Sequence, residues 1–257
     1  MGVVRKTIRV GAELLLTLGL VGLLLCVHQL YWTNFEARAE AKSEVAQLRK
    51  DWTKASEPQT PEPEPPAALP PSDVQQGATD VSLDGGKDGQ AVPGSRGSIR
   101  GRTIAILWIP RLGANWYQPI IEGSSLESLS KGVGHYTYPP YVGPGQQGNF
   151  ALAGHRNGHG EPFRYLNKLH PGDKVVVETK TQWLTYTIVK GPYITKPSNG
   201  SVLTARPPGL DVPAGKSLIT LTTCDPEFTS KNRMIYWGTL TTTDPKQGDT
   251  KPAALRR

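Results

Sequence analysis

The chain has two cysteines, and only Cys224 lies outside the apolar N-terminal segment that holds Cys26. Cys224 therefore has no evident disulfide partner. It closes the β-like run Ser217-Leu218-Ile219-Thr220-Leu221-Thr222-Thr223, which Asp225-Pro226 stops. A thiolate is the nucleophilic form of cysteine, and a free thiol titrates near ~8.5. A catalytic cysteine thus needs a neighbour that takes or supplies a proton. His155 is the best placed of five histidines: it follows Asn149-Phe150-Ala151-Leu152-Ala153 and precedes the turn Arg156-Asn157-Gly158. Near neutral pH an imidazole at such a strand end can act as acid or base. Arg233 opens the last strand-like run, beyond the loop 225–232. If 218–224 and 233–240 pair as a hairpin, Arg233 returns beside the thiol. A guanidinium is permanently charged and can donate to the oxyanion of acyl transfer. Losing such a donor costs about 3–4 kcal/mol of barrier. Each residue also has a plainer reading: a small buried hydrophobe for Cys224, a turn residue for His155, an ion-pair partner for Arg233. Their joint placement at strand ends of one small domain points to cysteine acyl transfer.

These residues need a rigid scaffold. Strand-like runs occur at 103–109, 118–121, 149–153, 174–179, 184–193, 218–223 and 234–240, separated by Gly, Pro, Asn and Asp clusters. Residues 126–131 and 162–169 read as short helical turns. Close-spaced short strands predict a mainly all-β domain, a single antiparallel barrel or sandwich of about 140 residues. The polar tail after Thr243 reads as frayed.

The part before the domain has a different composition. Arg5, Lys6 and Arg9 precede an apolar stretch from Val10 to about Trp32. Its length suits a bilayer-spanning helix, with the basic flank cytoplasmic and Tyr31-Trp32 at the outer interface. The competing readings are a cleaved signal peptide, with Ala37-Arg38-Ala39 far from the apolar run, and a lipoprotein signal at Cys26, where Leu25 is too bulky. Residues 34–54 read as a solvent-exposed helical stalk, 56–71 as a polyproline spacer and 72–98 as a disordered linker. The expected division is 1–33 tip and anchor, 34–98 stalk and linker, 99–243 catalytic domain, and 244–257 tail. The expected location is a single-pass membrane protein with a cytoplasmic N-terminus and an extracellular catalytic domain. The net charge of +7 comes from scattered residues with no nucleic-acid signature, and an anionic membrane surface or cell wall would explain it equally well.

Other candidates carry less. His155 and His159 have zinc-like spacing, but Asn157-Gly158 between them reads as a turn, so no metal is expected. His170 precedes the turn signal Pro171-Gly172-Asp173, and His135 can line a groove or cap a loop. Glu122, Glu127 and Glu161 are dispersed, which argues for solvated surface over a calcium site. Trp108, Trp116, Trp183 and Trp237 read as packing residues.

Asn149-Phe150-Ala151-Leu152-Ala153-Gly154-His155-Arg156, Thr220-Leu221-Thr222-Thr223-Cys224-Asp225-Pro226 and Arg233 resemble the three motifs of the sortases, most closely the actinobacterial class E members. The resemblance covers about residues 100–243, and the anchor and tether are similar to the usual sortase layout. It implies an eight-stranded sortase-type β-barrel with Cys224, His155 and Arg233 as catalytic residues and no cofactor. It further implies that Cys224 attacks the Thr–Gly bond of a C-terminal sorting signal of Leu-Ala-X-Thr-Gly type on secreted proteins. His155 would protonate the leaving amine, Arg233 would hold the oxyanion, and an amine of a peptidoglycan precursor would resolve the thioacyl enzyme. Gly134-His135-Tyr136 is similar to a class E motif whose tyrosine lines the substrate groove. Tyr136 is therefore a substrate-contact candidate, and Thr223, next to the thiol, is a second. No Asp-Pro-aromatic lid triplet occurs between Glu57 and Arg102, which favours housekeeping anchoring over pilus polymerisation.

Three alternatives remain. A cysteine peptidase or wall hydrolase would resolve the intermediate with water, but such families place the cysteine at a helix start and before the histidine. L,D-transpeptidases carry a Ser-X-Gly-Cys-type motif that is absent. A non-enzymatic wall-binding β-domain would tolerate Cys224→Ala.

Overall fold

A computed structural model describes residues 2–28, 32–55, 101–137, 140–248 and 250–256. Two helices come first, α1 (Gly2–Val27) and α2 (Thr33–Lys54). The eight strands are β1 (Thr103–Trp108), β2 (Tyr117–Glu122), β3 (Val133–His135), β4 (Gly148–Ala153), β5 (Lys174–Glu178), β6 (Gln182–Thr195), β7 (Ser217–Asp225) and β8 (Asn232–Pro245), with the short helix α3 (Leu126–Lys131) between β2 and β3. They close in the order β1-β2-β3-β4-β7-β8-β6-β5.

The barrel is mixed, where the sequence suggested antiparallel pairing throughout. β2 and β3 run parallel, as do β4 and β7. The long β5–β6 excursion returns the chain to β4 in the same direction, as a parallel neighbour requires. β3 was not foreseen: its three residues, one a glycine, are too few to show alternation.

Alternation along each strand sorts side chains between two cores. Ala105, Leu107, Phe150, Leu152, Val175, Val177, Ile219, Leu221, Met234 and Tyr236 fill the barrel. The intervening Ile106, Trp108, Val176 and Trp183 face outward, yet they are buried, because α2 lies over them. This corrects the exposed stalk expected at 34–54. A sparse stripe of Ala41, Val45, Leu48 and Trp52 recurs at helical spacing and packs on the barrel. The surrounding charged residues mask that stripe in the sequence. A buried carboxylate holds the contact: Glu178 accepts from Trp108 Nε1 at 3.0 Å, Arg49 at 3.0 Å and Lys246 at 2.6 Å. The tail, expected to fray, also returns here, with Ala254 and Leu255 on the same cluster and Lys251 over the Trp108 ring. Two apolar side chains suffice once a preformed aromatic surface is available. The polyproline spacer and linker expected at 56–98 lie outside the described residues.

α1 carries a stretch, Arg5–Val27, long and apolar enough to cross a membrane, and none of it is buried against the protein.

Candidate functional site

Strand direction decides which residues meet. β4 and β7 are parallel, so their C-terminal ends share one rim of the barrel, with Ala153 opposite Thr222. Beyond β4 the pairing continues for one more residue. Gly154 N–H donates to Thr222 O at 3.1 Å, and Thr223 Oγ1 donates to Gly154 O at 2.8 Å. His155 thus leaves β4 at the level of Cys224. β8 runs antiparallel to β7, with Cys224 opposite Arg233. Facing residues of a strand pair project to the same side of the sheet. The thiol and guanidinium therefore share the outer face, together with Thr222, Ile235 and Trp237.

The imidazole lies in a dry setting. Burial, and secondarily the neighbouring His159, lower the His155 pKa to about 4. The two rings stack at 4.8 Å between centroids, tilted by 30°. Nε2 of His155 is buried and has no hydrogen-bond partner among the described residues. At neutral pH the ring is uncharged and can accept a proton. Cys224 is half-buried. Arg233 is buried, and its Nη1 donates to Ser230 O at 3.0 Å and Asn232 O at 3.2 Å. Those carbonyls fix the position of the guanidinium.

Tyr136 joins the same face. Its hydroxyl lies 3.2 Å from Thr222 Oγ1, and its ring packs against the cluster of Ala151, Val202, Leu203, Ile235 and Trp237. Burial pushes the phenol pKa up, the Thr222 bond and Arg233 pull it down, and Cys224 pushes it up again. The phenol is therefore within electrostatic reach of both thiol and guanidinium. Thr223 goes elsewhere. It shares the inward face of Ile219 and Leu221 and is buried, its hydroxyl bound to Gly154 O. Counting positions from Leu221 would have revealed this parity.

Three residues escaped the sequence reading. Arg156 is buried and donates to Cys224 O at 3.3 Å and to Asp225 Oδ1 at 2.5 Å, pinning the end of β7. Asn157 Oδ1 accepts from Phe228 N at 2.7 Å, tying the loop after β4 to the β7–β8 loop. Gly154 is required by close approach, since a Cβ there would lie 2.6 Å from the Phe163 ring. A groove of about 430 Å³ adjoins Tyr136 on the outer face of β4. Ala151 and Asn149 floor it, and Leu203, Arg206 and Tyr141 wall it.

Among the described residues no three His, Cys, Asp or Glu side chains gather to hold a metal ion. Glu122 is buried beside His135 Nδ1 at 3.4 Å, Glu127 pairs with Lys131, and Glu161 pairs with Arg164.

The arrangement offers a nucleophilic sulfur, an uncharged proton carrier and a fixed cation along one rim. Known proteins resemble the chain as a whole. The family model "Sortase domain" matches residues 107–241. The chain is 38% identical over 252 residues to sortase SrtE1 of Streptomyces coelicolor, covering 96% of this chain and 60% of that protein. It is 33% identical over 257 residues to sortase SrtE2 of the same organism, covering 98% and 89%. The chain thus spans less than two thirds of the first relative and most of the second. Sortase E of Streptomyces avermitilis superposes with a TM-score of 0.56 at 43% identity, over 61% of this chain and 99% of that one. Sortase E1 of S. coelicolor, solved with a tripeptide in the active site, gives 0.55 at 46% identity, over 61% and 98%.

Proposed function

This chain belongs to the sortase family, and we propose that it is a membrane-anchored cysteine transpeptidase acting on C-terminal sorting signals of Leu-Ala-X-Thr-Gly type. The observation that carries this reading is the strand register at the rim. Cys224 faces Arg233 across β7–β8, and parallel β4 delivers His155 to the same end.

In this reading Cys224 Sγ adds to the carbonyl carbon of the Thr–Gly bond. Arg233 donates to the oxyanion that forms. His155, having taken the thiol proton, gives it to the glycine nitrogen as the C–N bond breaks. A thioester to Sγ remains, and the glycine-led fragment leaves as a free amine. An acceptor amine, assigned here to a peptidoglycan precursor, then attacks the thioester. It loses its proton to His155, forms the new amide and releases the thiolate. Tyr136 and the groove beside it hold the peptide. A peptide occupant agrees with the tripeptide in the S. coelicolor relative. Thr223 acts through Gly154, fixing the turn that carries His155. α1 is the anchor, with the basic N-terminus cytoplasmic and the barrel outside. The catalytic unit comprises residues 99–243, and the housekeeping role is favoured over pilus building.

The test is mass spectrometry of the detergent-solubilised full chain incubated with a Leu-Ala-X-Thr-Gly peptide. The expected result is an acyl adduct on Cys224, converted to an amide by added amine and absent in Cys224→Ala. Hydrolysis without amide would favour the peptidase alternative. A folded protein that gives neither adduct nor product would favour a binding module.

A further inference from the structure

We propose that the rim carrying the candidate site rests on the lipid surface, with the tip of the β7–β8 loop entering the headgroup region. The inference rests on the reading of α1 as a membrane span. It does not depend on the chemistry assigned to Cys224.

A short tether joins the apolar span to the barrel. Trp32 and Phe35 are exposed aromatics in ring contact at 6.4 Å, and His28 stacks on Trp32 at 5.8 Å. Such a cluster just past an apolar span marks the membrane–water interface. Two residues after Trp32, Asn34 Oδ1 accepts from Gly160 N at 3.0 Å. Arg38 Nε donates to Gly160 O at 3.3 Å, and Arg38 pairs with Glu161 at 3.7 Å. Two residues of chain reach at most about 7 Å. The loop after β4, which carries His155 and His159, is therefore held within roughly a nanometre of the aromatic cluster, whatever the tilt of α1.

The β7–β8 loop is bound to that same loop. Phe228 N donates to Asn157 Oδ1, and Arg164 bridges Glu161 and Glu227. Its tip, Phe228-Thr229-Ser230-Lys231, is exposed throughout. Among the described residues from 101 onward, Phe228 is the most exposed large apolar side chain, at 74%. It is held there with φ +63°, a left-handed backbone that bulky residues rarely adopt. An aromatic ring three residues from a lysine suits the headgroup layer: the ring sits among glycerol and upper acyl groups while the ammonium reaches the phosphates. The positive net charge of the chain favours an anionic lipid. The opposite end of the barrel lies at the far end of α2 from this contact. α2 rises about 33 Å along its length, and its far end meets the β5–β6 turn, where Lys180 donates to Ala55 O at 3.1 Å.

The test uses the full chain in vesicles of phosphatidylglycerol and phosphatidylethanolamine. A photoreactive benzoylphenylalanine replaces Phe228 in one sample and exposed Thr181, on the β5–β6 turn, in another. Irradiation is expected to give lipid adducts at 228 and background at 181. Equal adducts at both positions, or adducts at neither with α1 still resisting carbonate extraction, would overturn the proposal while leaving the anchor intact. Capture at 228 of an added sorting-signal peptide in place of lipid would also overturn it, making the tip a substrate contact. Loss of the chain to carbonate extraction would remove the anchor reading, and this proposal with it. Peptide-transfer activity in detergent would still stand on its own in every case.

Discussion

His155 keeps its proton off until the solution is quite acidic, because the folded ring is desolvated and lies against His159. An unfolded histidine titrates near 6.5, so between that value and about 4 the unfolded chain binds more protons than the folded one. Stability from this group is complete above pH 6.5 and is lost as pH falls through 4, by on the order of 3 kcal/mol. Thermal melts of His155→Gln should therefore decline less steeply with acid over that window than those of the unaltered chain. Parallel slopes would mean that the ring is better solvated than its position suggests. Arg233 and Arg156 make the complementary point. Two arginines border the thiol, yet Arg156 is committed to Asp225 and the Cys224 carbonyl. Arg233 is held by neutral carbonyls. Arg233, opposite Cys224 across β7–β8, is the arginine that the proposed reading assigns to the oxyanion.

Strand pairings do more for this site than any single side chain. A one-residue slip of β7 against β8 would turn the thiol into the barrel and leave Arg233 facing Thr223. Gly154 guards the other side: its lack of a side chain lets Phe163 close over the turn that aims His155. Gly154→Ala is expected to destabilise the fold by about 1–3 kcal/mol, read as a lower melting temperature. It should cost activity even at temperatures where the variant stays folded. An unchanged melting temperature would show that Phe163 has room to retreat. Much of this was legible beforehand. The run ending at Cys224, the Asp-Pro stop and the return at Arg233 form a local hairpin, and local hairpins announce themselves through alternation and turn residues. What stayed hidden is non-local. The parallel partnership of β4 with β7 joins segments some seventy residues apart. β3 is too short to alternate. The commitment of Arg156 to Asp225 and the Cys224 carbonyl shows only in the folded chain. The inward turn of Thr223 was available from parity and was missed because proximity to the thiol looked sufficient.

At the scale of the molecule, α2 changes what the N-terminal third is for. Its stripe of Ala41, Val45, Leu48 and Trp52 fastens the helix to the barrel, and Glu178 binds helix, barrel and tail around one carboxylate. The segment 56–100 therefore begins at Ala55, fastened by Lys180, and ends at Gly101, whose N–H donates to Glu122 O at 2.9 Å. Both of its ends are moored to the same body. A chain attached at two points of one object is a handle on that object and not a leash to another, so its contour length has no bearing on how far the thiol stands from the bilayer. Removing half of 56–100 should therefore leave the position of the barrel unchanged. Distances measured by fluorescence transfer between labelled lipid and a dye on the barrel should stay the same. If the barrel instead drew closer to the bilayer, α2 would have to detach from it in the membrane. With α1 as the proposed anchor, adding residues between Val27 and Asn34 is the change expected to lift the barrel off the bilayer, for the proposed standoff is set by those few peptide units.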